Sequence, residues 1–127
     1  MDVAVLGGTG VISRCIVEEL VAKGHRVTVV NRGSRKVSLP EGVSTIVADK
    51  SDEEAFGRAM EGHRFGAVID MIAFNESDAR HTVGVFQDKT DQLLFCSSIA
   101  AYKRPPKSMP IQELTEELSD DPVFPYS

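Results

Sequence analysis

No apolar run in the sequence approaches the ~20 residues that a membrane-spanning helix needs. A helical membrane anchor is therefore not expected, and no membrane partner. Cysteine is scarce, with only Cys15 and Cys96. Two isolated cysteines cannot supply metal-ligand spacing, and a disulfide is not expected; they read as small buried apolar groups. Tryptophan is absent and aromatics make up 6% of the chain, so no aromatic–basic interleaving suggests a nucleic-acid surface. Nor is there a basic excess: 14 Lys and Arg stand against 19 Asp and Glu, for a net charge of −5. Nucleic acid is thus not an expected partner. The imbalance is local, because residues 1–109 carry 14 acids and all 14 bases, while residues 110–127 carry five acids alone. Those five read as a solvated loop. Met1 leads straight into an apolar strand, leaving no room for a signal peptide, and a cytoplasmic location is expected. There is no internal repeat and no low-complexity segment.

The 127 residues, 42% of them hydrophobic, suffice for one domain with a real core. That core is announced at the start. Val3-Ala4-Val5-Leu6 reads as a strand buried on both faces, and Gly7-Gly8-Thr9-Gly10 breaks it before a helical pattern begins. Glycines there let backbone N–H groups approach a ligand closely. The following helix N-terminus aims its free N–H groups and dipole at the same gap, which suits a pyrophosphate. Gly8-x-Gly10-x-x-Ser13 and Gly7-x-x-Gly10-x-x-Ser13 both fit dinucleotide-binding glycine patterns, with Ser13 in place of the last glycine. An ordinary glycine-rich strand–helix turn is the plainer alternative. Gly7, Thr9, Gly10, Val11 and Ile12 are the candidate cofactor-binding residues of this turn.

Helix one is expected over residues 10–23, with Ile12, Ile16 and Leu20 facing the core and Gly24 at its end. Strand two covers residues 26–30 and runs into Asn31-Arg32-Gly33. An acid at this strand end would bond the ribose hydroxyls of NAD, whereas an Arg accommodates the 2′-phosphate of NADP. Asn31 holds the acid's place and Arg32, Arg35 and Lys36 follow, so NADP is favoured over NAD. Strand three is expected over residues 43–48. Asp49 follows it, suited either to the adenine amino group or to a turn. Ser51 and Glu54 form a capping box opening helix two over residues 52–61. Strand four covers residues 67–73 and contains Asp70, a carboxylate that needs partners if buried. Ile72 and Ala73 end it on the ligand side and are candidate cofactor contacts. Helix three covers residues 75–88, with Ala79, Val83 and Phe86 inward, and strand five residues 92–96. The alternation predicts an α/β fold: a Rossmann-like, doubly wound parallel sheet in the order 3-2-1-4-5. Phe56, Phe65, Phe74, Phe86 and Phe95 read as core. His25, His63 and His81 read as surface residues.

Further along come Ser97-Ser98 at the end of strand five, Tyr102, Pro110-x-x-Glu113 and Pro125-Tyr126-Ser127. With the glycine turn and Asp49, these residues make the chain resemble the N-terminal part of an extended short-chain dehydrogenase/reductase, in the NAD-dependent epimerase/dehydratase family. The resemblance implies a Ser/Tyr/Lys site. Ser98 would polarise a substrate oxygen and Tyr126 would act as general acid/base. A lysine four residues beyond Tyr126 would lower the phenol's pKa, and that position lies past Ser127. The resemblance further implies that residues 1–127 are a truncated NAD(P)-binding Rossmann domain, lacking further strands and the substrate region, and inactive alone. It implies a small-molecule substrate, with nucleotide sugars one candidate class. Strand five would stand at an open sheet edge, which favours association into a homo-oligomer. The alternative function is a non-catalytic dinucleotide sensor or scaffold for a protein or RNA partner on the same fold.

Overall fold

The computed structural model describes residues 1–34 and 37–120. Five strands form one parallel sheet: β1 (Asp2–Leu6), β2 (Arg26–Asn31), β3 (Ser44–Val47), β4 (Phe65–Asp70) and β5 (Thr90–Phe95), in the order β3-β2-β1-β4-β5. Three α-helices connect them: α1 (Val11–Ala22), α2 (Glu53–Ala59) and α3 (Glu76–Phe86). Fold class and strand order are those the sequence predicts.

β1 is central and its side chains alternate between two cores, as the two-residue period of a strand requires. Ala4 and Leu6 join Val30, Phe56, Met60, Phe65, Val68 and Phe86 on the face covered by α2 and α3. Val3 and Val5 join Val17, Val27, Val29 and Ala67 on the face covered by α1. The crossover through α1 moves from β1 to β2, and those through α2 and α3, from β3 to β4 and from β4 to β5, move the opposite way. Right-handed crossovers in opposite directions place the helices on opposite faces. Phe56 anchors the second layer, with its ring centroid 6.3 Å from Phe86 and 5.6 Å from His81, both edge-on.

Several local expectations are corrected. β4 stops at Asp70 rather than continuing to Ala73, because Asp70 Oδ1 accepts the Ile72 N–H at 2.9 Å and turns the chain. α2 is capped by Asp52, whose carboxylate accepts the Ala55 N–H at 3.0 Å; the Ser51 hydroxyl is committed to Asp49 instead. On α1 the fully buried residues are Ser13 and Val17 and Leu20 packs against the core as expected, whereas Ile12 turns outward at 67% exposure. On α3, Thr82 is buried and Val83 is exposed. Cys15 and Cys96 are exposed rather than buried. Phe74 and Phe95 are exposed too, so the aromatic core is Phe56, Phe65 and Phe86. The helix ends at Gly24 as expected, with that glycine at φ +78°.

The described part of the acidic stretch, residues 110–120, stays largely exposed but is not a bare loop. After a short 3-10 turn at Ile99–Ala101, Tyr102 pairs antiparallel with Leu118. The Lys103 N–H donates to the Glu117 carbonyl at 2.8 Å, and the Glu116 carboxylate accepts the N–H groups of Lys107 and Ser108. Glu117 pairs with Lys107 at 2.5 Å and Lys103 at 3.4 Å. Hydrogen bonding from Lys107, then from Lys103, holds its carboxyl below the usual glutamate range.

Phe56→Ala should destabilise the fold by about 3–5 kcal/mol, measured as a fall in urea midpoint without a change in slope. Because the Glu117 carboxyl is held low when folded, its contribution to this clasp is complete above the ordinary glutamate pKa and disappears as pH falls through the lower folded value. Acidification from about pH 6 to well below the ordinary glutamate pKa of about 4.3 should therefore weaken the cross-strand NOE between Tyr102 and Leu118.

Candidate functional site: a crevice at the switch point of the sheet

The sheet reverses its winding at β1, so the loops after β1 and β4 part and leave a crevice above their carboxyl ends. Gly7 turns the chain out of β1 at φ +81°, with its N–H on the Val30 carbonyl at 2.9 Å. A Cβ at Gly7 would lie 2.5 Å from Ile72 Cγ2, and one at Gly8 would lie 2.8 Å from both Val29 methyls. Glycine is required here by backbone angle at the first position and by contact at both.

Ser13 is 97% buried, at 3% exposure, and closes the turn from inside. Its Oγ accepts the Gly10 N–H at 2.9 Å and donates toward the Gly7 carbonyl at 3.0 Å and the Gly10 carbonyl at 3.2 Å. Ser13 therefore does more than tolerate the place of a third glycine. It supplies hydrogen bonds that hold the loop's shape. It also fixes the rotation of α1, which turns Val11 and Ile12 toward the crevice mouth. The first-turn N–H groups of Val11, Ile12 and Ser13 have no acceptor within the helix.

The crevice has two lobes that share Gly7, Gly10, Ile72 and Phe74. The first, of about 550 Å³, lies over β2 and is bounded by Asn31, Arg32 and Ser34 on one side and Ala48, Asp49, Lys50 and Ser51 on another. Asn31 Oδ1 accepts the Gly33 N–H at 2.7 Å, which leaves the Asn31 amide as a donor. Asp49 Oδ1 accepts the Ser51 hydroxyl at 2.7 Å and its N–H at 2.9 Å. The Ser51 hydroxyl and N–H, then the Arg32 charge, hold the Asp49 carboxyl below the usual range. The turn role anticipated for Asp49 is present, and the residue also borders the lobe.

The second lobe, of about 750 Å³, runs past Val11, Ile12 and Ala73 to Phe95, Cys96, Ser97 and Ser98 at the end of β5. Ser98 Oγ accepts the Ala100 N–H at 3.2 Å. Its own proton remains available to another acceptor. The two lobes are thus lined by Gly7, Thr9, Gly10, Val11, Ile12, Asn31, Arg32, Asp49, Ile72, Ala73 and Ser98. Tyr126, Arg35 and Lys36 lie outside the described residues.

Sequence reading missed Lys50, Phe74, Asp78 and Thr82. Asp70 is fully buried, and its Oδ2 accepts Lys50 Nζ at 2.5 Å and Thr82 Oγ1 at 2.6 Å. Its Oδ1 takes the Ile72 N–H, and Asp78 takes the Phe74 N–H at 2.9 Å. The one available signal was a carboxylate inside an apolar strand, which demanded a cation without saying which.

A parallel sheet with this order, a glycine turn feeding a helix at its switch point, and a two-lobed crevice above define a dinucleotide-binding α/β domain. The chain belongs to the NAD(P)H-binding family, whose model matches residues 7–121. It is 31% identical over 115 residues to a 2′-dehydrokanamycin reductase of Streptomyces kanamyceticus, covering 91% of this chain and 32% of that protein. A decarboxylating sterol-4-alpha-carboxylate 3-dehydrogenase of Dictyostelium discoideum is 29% identical over 98 residues, covering 74% of this chain and 29% of that protein. The chain therefore spans about a third of the length of these relatives. In fold it resembles a UDP-glucose 4-epimerase from Bifidobacterium longum, solved with NAD+ and UDP: TM-score 0.78, 22% identity, 99% of this chain and 44% of that one. An epimerase from Methanothermobacter thermautotrophicus superposes with TM-score 0.79 at 18% identity, over 98% of this chain and 43% of that one. The expected resemblance to epimerase/dehydratase-type enzymes thus holds at the level of fold. No helix among the described residues is long and apolar enough to cross a membrane.

Ser13→Ala should cost about 1–3 kcal/mol, since it leaves the Gly10 N–H without its acceptor. Thermal or urea unfolding measures it, and a cost no larger than that of Ser34→Ala would remove the role given to the hydroxyl.

Proposed function

We propose that residues 1–127 form the cofactor domain of an NAD(P)-dependent oxidoreductase or epimerase/dehydratase. The continuous two-lobed crevice across the Gly7–Gly10 turn carries this reading. A dinucleotide needs two separate half-sites joined at an anion site, and the shared wall of the lobes lies beside the unpaired N–H groups of α1. The pyrophosphate belongs over that helix end, the adenylate half in the lobe beside Asn31 and Arg32, and the nicotinamide half in the lobe ending at Ser98. Bound there, the cofactor supplies hydride exchange with a substrate carbon.

The preference is for NADP. With Asn31 Oδ1 held by Gly33, Asn31 offers only donors, and the exposed Arg32 guanidinium adds a forked one. A phosphate accepts from both, whereas neither Asn31 nor Arg32 supplies a carboxylate to accept from ribose hydroxyls. Asp49 sits near Arg32 and tempers that positive charge.

On the substrate side, Ser98 donates its free hydroxyl proton to a carbonyl or hydroxyl oxygen. Tyr126 is assigned as general acid/base, in partnership with a lysine beyond this chain. A phenol near pKa 10 needs such a neighbouring cation to work at neutral pH. The names of the two curated relatives denote a reductase and a dehydrogenase, which supports carbonyl–alcohol redox chemistry on a small molecule. The epimerase folds keep nucleotide sugars among the candidate substrates.

Nicotinamide fluorescence titration should show NADPH binding about tenfold more tightly than NADH. Arg32→Ala should erase that difference while leaving NADH affinity within about twofold. Equal affinities in the unsubstituted chain would remove the NADP assignment, and no binding of either would remove the cofactor reading.

A further inference from the structure

Beneath the first lobe lies an ion pair that the cofactor contacts proposed above do not use. Lys50 follows β3, and Asp70 ends β4. In the sheet these strands are separated by β2 and β1, which is three strand spacings or about 14 Å. The Lys50 side chain nevertheless meets Asp70 Oδ2 at 2.5 Å, with side-chain exposures of 9% and 0%. Thr82 of α3 donates to the same oxygen. The pair therefore ties the β3–α2 connection to the end of β4 and to α3.

What it ties are the two banks of the lobe. One bank is Ala48, Asp49, Lys50 and Ser51. The other is Ile72, Phe74 and Asp78. Asp70 grips the second bank directly through the Ile72 N–H, and Asp78 fixes the Phe74 N–H beyond it. A buried ion pair adds little net stability, because desolvation of two charges offsets their attraction, and an uncharged pair often folds as well. What an ion pair adds is direction: it holds two groups at one separation.

We propose that Lys50 and Asp70 are positioning residues, a brace that sets the width of the lobe receiving the adenylate half of the dinucleotide. This rests on the cofactor reading above. Without the brace the banks part, and the adenylate half loses simultaneous contact with both. The nicotinamide lobe shares Ile72 and Phe74 with the first but keeps further walls on α1 and at the end of β5.

The test uses Lys50→Met with Asp70→Asn in one chain. The single Lys50→Met change would strand a buried carboxylate, whereas the double change removes both charges and keeps the stem and the carbonyl. Thermal unfolding should place the double variant within about 5 °C of the unsubstituted chain. Isothermal titration with adenosine 2′,5′-bisphosphate should show affinity reduced about tenfold, a loss that equal stability does not explain. Amide exchange at Ser51 and Ile72 should accelerate, while exchange at Val17 stays unchanged. If the unsubstituted chain binds the bisphosphate and the stable double variant binds it equally well, the brace is overturned. If the unsubstituted chain binds neither the bisphosphate nor NADPH, the cofactor reading falls, and unchanged exchange at Ser51 and Ile72 then overturns the brace separately. Should the double variant fail to fold, Lys50→Gln with Asp70→Asn supplies the same comparison, since it removes both charges and leaves two neutral amides in place of the ion pair.

Discussion

The turn out of β1 is the constraint on which the rest depends. A positive φ at Gly7, the closeness of Ile72 to Gly7 and of Val29 to Gly8, and the buried Ser13 hydroxyl leave the loop one shape. That shape aims the start of α1 at the gap where the sheet changes direction. Every group assigned to the cofactor is placed relative to it. Arg32 stands to one side because β2 pairs with β1, and Ser98 stands to the other because β5 pairs with β4. Ser13 shows how a departure from a motif can carry its own compensation. Glycine at that position gives close approach. Serine gives slightly less room and adds hydrogen bonds the glycine could not make.

Electrostatics along the crevice divide by depth. The exposed Arg32 and the half-buried Asn31 amide are placed to meet a ligand anion. The buried ones, Lys50 and Asp70, neutralise each other and hold the walls. Surface pairs such as Glu76 with Arg80 on α3 are solvated and contribute little. The charges that matter are thus few, and their placement comes from chain crossings at the sheet's carboxyl edge.

Much of the fold was legible from periodicity and punctuation. Apolar runs of four to seven residues separated by helical patterns made the parallel sheet, and Gly24 marked the end of α1. Phase was less legible. Ile12, Ile16 and Leu20 are spaced as a helical stripe; Leu20 does pack against the core beside Val17, but Ile12 is exposed and Ser13 takes the inward place, because it satisfies two loop carbonyls and the Gly10 N–H there. Likewise Thr82 displaces Val83 from the core because Asp70 offers it an acceptor. In both helices a buried polar contact overrode an apolar stripe, and hydrophobic spacing alone carries no record of such contacts. Ser51 lost its capping role for the same reason: Asp49 had already claimed its hydroxyl.

The sequence by itself determined the parallel α/β architecture, the glycine turn and the residues that border the crevice from it. Each follows from local chemistry, namely strand and helix period, positive φ and the donors exposed at a helix start. Only the tertiary structure decided that Lys50 would answer Asp70, that β4 would stop where Asp70 folds back on Ile72, and that Phe74 would join two lobes rather than the core. Those outcomes depend on which side chains meet across strands that are not neighbours, and that distance is set by the crossings of the chain, not by any spacing along it.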